Sequence, residues 1–214
     1  MKIQPELILL PNEIEKRSFE IISEELGDRM LSPENEAVIK RVIHTSADFD
    51  YADNLVFSPH AVQLAVEALR EGTTIVTDTQ MARAGINKAA CEKLNCRVEC
   101  FMADEDVAIA AKANGTTRAV ASMQKAAKLA GNLIFAIGNA PTALLCLQEL
   151  IDSGELAPRL VIGVPVGFVN VVESKELLLC SNVPHIVARG RKGGSNVAAA
   201  ICNALLYQAT DRIL

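Results

Sequence analysis

Residues 129–148 read LAGNLIFAIGNAPTALLCLQ, twenty residues without a charge. That is the length of a membrane span. Gly131, Asn132, Gly138, Asn139 and Pro141 interrupt it, however. The stretch resolves into a strand over 133–137, a Gly-Asn turn, and a helix from 141 with proline in its first turn, where a missing N–H costs nothing. A strand that is apolar at every position is covered on both faces. This places the middle of a layered α/β sheet here and reads the chain as soluble, with no membrane partner.

The same alternation runs outward in both directions. Downstream come a strand over 160–164, a helix over 174–180, a strand over 186–188 and a helix over 195–210. Upstream, helices over 106–114 and 117–130 break at Asn114-Gly115. Before them lie a strand over 98–102, a helix over 80–95, the β-branched strand 73–77, a helix over 60–71 and a short strand over 54–57. Helices over 34–44 and 12–26 open the chain. Ser32-Pro33 and Ser58-Pro59 each read as a cap followed by proline at the first helical position. Strands alternating with helices imply a parallel sheet with crossover helices. Five or six strands fit one three-layer αβα domain over 1–214, a mostly parallel sheet with helices on both faces. In such sheets the functional loops lie at the carboxyl ends of strands. Those ends fall at Ser58, Asp78, Ala103-Asp104, Gly138-Asn139, 165–167 and 189–194.

Composition narrows the function. The 214 residues are half hydrophobic and 22% charged, with 21 Lys+Arg against 26 Asp+Glu, a net charge of -5. An acidic chain with no Trp and 4% aromatics lacks the basic surface and stacking platform of a nucleic-acid binder. Cys91, Cys96, Cys100, Cys146, Cys180 and Cys202 form no CxxC and match no zinc or iron–sulfur spacing, so they read as reduced thiols of a cytoplasmic protein with no metal site. The apolar run 7–10 is too short for a signal peptide.

GxGxxG and GxxxxGK[ST] are both absent, as are a nucleophile elbow and HExxH. Gly190-Arg-Lys-Gly-Gly-Ser195 follows a strand and opens a helix. It reads equally as a flexible connection or as an anion cradle with Arg191 and Lys192 at its mouth. Arg41 and His44 share a helix face at i, i+3. His44 falls at the end of its helix, where the macrodipole favours imidazolium. It is either a general acid near neutral pH or a partly buried histidine bonded to a carbonyl. His60 and His185 read as structural. Arg118, at the start of a helix after Asn114-Gly115-Thr116-Thr117, is either solvated surface or an anion binder.

Seven segments resemble the precorrin-8X methylmutase family of cobalamin biosynthesis, in order along the chain. They are Arg41-Val-Ile-His44-Thr-Ser with Asp48-Phe-Asp-Tyr51, Asp78-Thr-Gln-Met81, Asn114-Gly-Thr-Thr-Arg118, Ile137-Gly-Asn-Ala-Pro-Thr142, Val164-Pro-Val-Gly-Phe-Val169, Glu173-Ser-Lys175 and Gly190-Arg-Lys-Gly-Gly-Ser195. The resemblance implies a flavodoxin-like sheet and a homodimer with sites near the subunit interface. It implies an isomerase that moves a methyl group from C-11 to C-12 of a contracted tetrapyrrole by a 1,5-sigmatropic shift. The product is hydrogenobyrinate, or cobyrinate if cobalt is already inserted, and no cofactor is needed. His44 falls on the family's catalytic histidine, Ser18 and Arg41 on substrate-contacting positions, and Arg118 on a basic residue of the site.

A flat apolar ring fringed with carboxylates wants an apolar pocket with cations at its rim. Arg17, Lys40, Arg41, Arg118, Arg191 and Lys192 are the rim candidates. The hydroxyls of Thr45, Ser46 and Thr79 are candidate helpers, and the Gly193-Gly194 turn offers backbone N–H donors. The protein would hold the macrocycle in the reacting shape, and His44 would donate a proton or hydrogen bond to a ring atom. The rival readings are a corrinoid carrier that hands its ligand to a neighbouring pathway enzyme with little turnover, and a nucleotide or flavin module of the same fold.

Overall fold

The structure, a computed structural model, describes residues 8–212. The apolar run 7–10 therefore lies partly outside the described residues. Six strands form one sheet in the order β1-β6-β5-β4-β2-β3. The strands are β1 Leu55–Phe57, β2 Thr74–Thr77, β3 Arg97–Glu99, β4 Leu133–Ile137, β5 Leu160–Gly163 and β6 His185–Ala188. All pair in parallel except β1, which runs antiparallel to β6. Counted from β2, the five parallel strands have the flavodoxin-like order 2-1-3-4-5, and the strand order reverses between β2 and β4.

Alternation along the strands sorts the helices into two outer layers. Ile75, Ile134, Ala136, Ile162 and Ile186 face one core, shared with α2 (Glu36–Ser46), α4 (Ala61–Arg70) and α11 (Ser195–Ala209). Val76, Phe135, Ile137, Val161 and Val187 face the other, shared with α8 (Arg118–Ala126), α9 (Pro141–Asp152) and α10 (Val171–Leu179). Every residue of β4 is buried. Both expectations from residues 133–137, a covered strand and a three-layer fold, hold. Among the described residues no helix is long and apolar enough to cross a membrane.

Several local expectations shift. The expected helix 80–95 is two short ones, α5 (Gln80–Gly85) and α6 (Lys88–Lys93), because Asn87 caps α6 by accepting from Ala90 N–H. The expected strand 98–102 stops at Glu99, and residues 101–103 form a 3-10 turn. Ser58 is not a helix cap: its hydroxyl accepts from His185 N–H across the sheet, and His60 precedes α4 in the left-handed region at φ 58°. Pro33 lies in a turn, and α2 starts at Glu36. Because β1 is antiparallel, Ser58 sits at the amino edge of β6. The residues before β1 are brought to the functional edge instead.

His185 is buried at the start of β6, with Nδ1 2.9 Å from the Val183 carbonyl. Burial lowers its pKa from the ordinary 6.5, against that hydrogen bond. The unfolded chain therefore takes up a proton that the folded state resists, and stability falls as pH drops from 6.5 through the lower folded value. The urea midpoint is expected to drop between pH 7 and pH 5. His185→Gln should flatten that dependence, and an equal slope in the variant would show that other groups carry it.

Candidate active site

Three strand ends meet at the switch point. Asp78 directly follows β2 and is fully buried. Its carboxylate accepts from Gly138 N–H at 2.9 Å, Asn139 N–H at 2.8 Å and Ala140 N–H at 2.7 Å, which shapes the loop between β4 and α9. Burial pushes the Asp78 pKa up, and the three N–H donors oppose that rise. On the next strand, Gly194 N–H donates to the Val164 carbonyl at 2.9 Å. A Cβ on Gly193 would lie 2.1 Å from that same oxygen, and one on Gly138 would lie 2.7 Å from the Gly194 carbonyl. Glycine is required at both positions by close backbone approach.

Lys175 supports this loop from behind. It is fully buried on α10, and Nζ donates to the Gly190 and Lys192 carbonyls, both at 2.8 Å. Burial lowers its pKa to about 8. The Lys192 side chain reaches across to Asp48 at 2.7 Å and Asp50 at 2.6 Å, and so ties the segment before β1 to the 189–194 loop. Thr79 is engaged as a cap: its hydroxyl accepts from Ala82 N–H and lies 2.7 Å from the Ser195 hydroxyl at the start of α11. The Thr117 hydroxyl accepts from Val120 N–H and lies 3.2 Å from that of Thr142 in α9. This sets Arg118, the first residue of α8, on the carboxyl edge, exposed.

Of the six expected rim cations, the structure engages four with carboxylates. Lys192 holds Asp48 and Asp50, Lys40 holds Glu36, Arg17 holds Glu20 and Glu24, and Arg41 holds Glu15. Arg118 and Arg191 have no carboxylate partner among the described residues. Arg191 lies over the Phe168 ring at 5.4 Å. Phe168 and Val169 in the same loop region are 79% and 78% exposed, so this edge is both apolar and cationic.

The second group is built on α1 (Pro11–Leu26) and α2. His44 is exposed in the last turn of α2, with its ring stacked on Phe19 of α1 at 5.2 Å and 12°. Arg41 is not at a rim. It is 7% exposed, held between the rings of Phe19 and Tyr207 and bonded to Glu15 at 2.8 Å. Its Nε and Nη2 are buried without a hydrogen-bond partner. Ser18 sits beside Phe19, and its hydroxyl donates to the Ile14 carbonyl. Thr45 is exposed, and the Ser46 hydroxyl donates to the Val42 carbonyl. Imidazolium is not favoured at His44. Partial burial and the Arg41 charge lower its pKa below 6.5, and Glu15 partly opposes them.

The structure thus brings Arg41 and His44 together on Phe19, with Ser18 the neighbouring residue of α1 and turned to its own helix, and Thr79, Gly193 and Gly194 together at the start of α11, with Arg118 on the same edge. Asp48 bridges the two groups: its N–H donates to the Ser46 hydroxyl at the end of α2, and its carboxylate holds Lys192 beside Gly193. Tyr207, against Arg41, lies twelve residues along α11 from Ser195, about 18 Å at ~1.5 Å per residue.

Sequence reasoning overlooked Glu15, Phe19 and the anchoring roles of Asp78 and Lys175. One signal was present for Lys175. Val171, Ser174, Lys175 and Leu178 are the buried residues of α10 at i, i+3, i+4, i+7, which puts a lysine on an inward face.

Comparison with known proteins agrees with this architecture. The family model for precorrin-8X methylmutase matches residues 13–208. A cobalt-precorrin-8 methylmutase of Priestia megaterium is 49% identical, with the match covering 97% of this chain and 92% of that one. One of Salmonella typhimurium is 48% identical over 94% of this chain and 97% of its own. The crystal structure of a precorrin-8x methyl mutase from Thermus thermophilus superposes with a TM-score of 0.85 at 39% identity, covering 92% of this chain and 98% of that one. With the collinear segments, the flavodoxin-like strand order and matches across nearly its whole length, this chain belongs to the precorrin-8X methylmutase family.

Proposed function

We propose that the chain acts as one unit over 1–214 to isomerise cobalt-precorrin-8 to cobyrinate, moving the methyl group from C-11 to C-12. What carries this reading is the match along residues 13–208, with relatives near 49% identity named for the cobalt form. None of those names supports a carrier. His44 is the general acid: the arriving substrate carboxylates raise its pKa, so the imidazole takes up a proton from solvent, donates it to a ring atom for the shift and recovers it as the product forms. Arg41 stays buried against Phe19 and Tyr207 and acts on the site through the ring it holds beside His44. Arg118 and Arg191, without a carboxylate partner among the described residues, offer their guanidiniums to substrate carboxylates, and Arg binds carboxylate bidentately. Thr45, Ser18, Thr79 and the Gly193-Gly194 turn line the remainder. The protein works in the cytoplasm as a homodimer. The exposed Phe168 and Val169 support a site near the subunit interface.

The test is turnover. Purified protein is incubated with cobalt-precorrin-8 and with metal-free precorrin-8x while the visible spectrum is followed. A corrin spectrum that forms faster from the cobalt substrate is expected. Ligand that binds unchanged would overturn the isomerase reading, and equal rates would overturn the choice of substrate. Arg118→Ala should raise KM about tenfold at near-constant kcat, the loss of one charge-assisted hydrogen bond. An unchanged KM would place Arg118 outside the site.

A further inference from the structure

Glu15 is the carboxylate on which the α1–α2 group converges. It lies on the face of α1 that also carries Phe19, Ile22 and Leu26, the last two buried. One oxygen accepts from Arg41 Nη1 at 2.8 Å, and the other accepts from Arg212 Nη2 at 3.0 Å. The two arginines come from different parts of the chain, one inside α2 and one beyond the end of α11. Both guanidiniums also lie against Tyr207, Arg41 at 5.2 Å and Arg212 at 4.3 Å. Arg41 also lies over Phe19 at 4.7 Å, and Phe19 is the ring stacked on His44. One carboxylate therefore closes a chain of contacts that ends at the imidazole.

We propose that Glu15 is a positioning residue for the reaction: its double grip on Arg41 and Arg212 fixes the ring of Phe19 against His44, and its charge offsets theirs beside the imidazole. The inference rests on His44 being the proton donor. A buried guanidinium without a counterion is costly, so Glu15 keeps Arg41 inside the fold. The charges acting on His44 are Arg41 from its own helix and Glu15 from α1, of opposite sign. Tyr207 of α11 and Arg212 beyond it touch Arg41 and Glu15. Without Glu15, burial and Arg41 act unopposed, and His44 holds a proton less readily. Without Arg212, the Glu15 charge is less compensated, and His44 holds one more readily.

The test follows the His44 C2 proton by NMR titration in the full-length protein, assigned by its loss in His44→Ala. Glu15→Gln is expected to lower the His44 pKa, and Arg212→Gln to raise it. In Glu15→Gln, kcat at pH 7 should fall with the protonated fraction, about tenfold for each unit lost, at a little-changed KM. A His44 titration unchanged from wild type in both variants overturns the proposal. Should Glu15→Gln not fold, Arg212→Gln decides alone, since Arg212 is exposed and its loss leaves the Arg41 bond intact; no rise there overturns the proposal. Opposite shifts in a protein that does not turn over cobalt-precorrin-8 would support the Glu15 linkage and overturn the reading of its function.

Discussion

His44→Ala is expected to fold, to bind the tetrapyrrole and to lose about 10²–10⁴-fold in kcat, the usual contribution of a positioned general acid. The fold should survive because His44 is exposed in the last turn of α2 and packs by one ring face on Phe19. Binding should survive because the guanidiniums of Arg118 and Arg191 lie elsewhere. The wild-type pH profile carries a second mark of the same residue. In the free protein the His44 pKa lies below 6.5 because of partial burial and Arg41. The kcat/KM limb, which reports the free enzyme, should therefore rise as pH falls through that range. In the complex, substrate carboxylates add negative charge and raise the pKa, so the kcat limb should lie at higher pH. Full turnover by a well-folded His44→Ala would remove the general acid from the mechanism. Identical limbs for kcat and kcat/KM would mean that no substrate carboxylate reaches the imidazole.

Asp78→Ala carries the largest expected cost to stability, about 3–5 kcal/mol. The carboxylate is buried and accepts three backbone N–H groups, from Gly138, Asn139 and Ala140. Removing it orphans three donors at about 1–3 kcal/mol each, less whatever the loop recovers by moving toward water. For a chain of this length that corresponds to a melting temperature lower by roughly 6–20 °C. Asp78→Asn keeps one good acceptor oxygen and turns an NH₂ toward the other donors, so it should lose about 1–3 kcal/mol. Gly138 packs on the Gly194 carbonyl, so the displaced loop also disturbs the 189–194 turn, and KM should rise in both variants. A melting temperature within a degree of wild type for Asp78→Ala would show that the loop holds its shape without the carboxylate.

The fold was legible because its signals are local and repeated. Residues 133–137, apolar at every position, announce a strand covered on both faces, and the alternation around them announces crossover helices. Helix ends were less legible. A serine before proline satisfies the cap rule equally well when its hydroxyl is taken by a residue 127 positions away, as Ser58 is by His185. The site was legible in part. His44, Arg41 and Arg118 stand out by residue type and position, and the resemblance to a family gathered them. Glu15 does not stand out, because a glutamate in the first turns of a charged helix is ordinary until two distant arginines are seen to share it.

The sequence by itself determined the layered α/β class, the loops that would line one edge of the sheet, and the family to which the chain belongs. These depend on periodicity and on residue order, which a linear string carries in full. The tertiary structure alone decided that β1 runs antiparallel and brings Asp48 and Asp50, rather than Ser58, to the working edge. It decided which cations are held by carboxylates, and that Lys175 faces inward to two carbonyls. It also decided that His44 is driven toward its neutral form. Each of these turns on which charge lies within a few ångströms of which, and how much water is excluded there. Coulomb energy and desolvation are functions of distance in space, and separation along the chain does not set them.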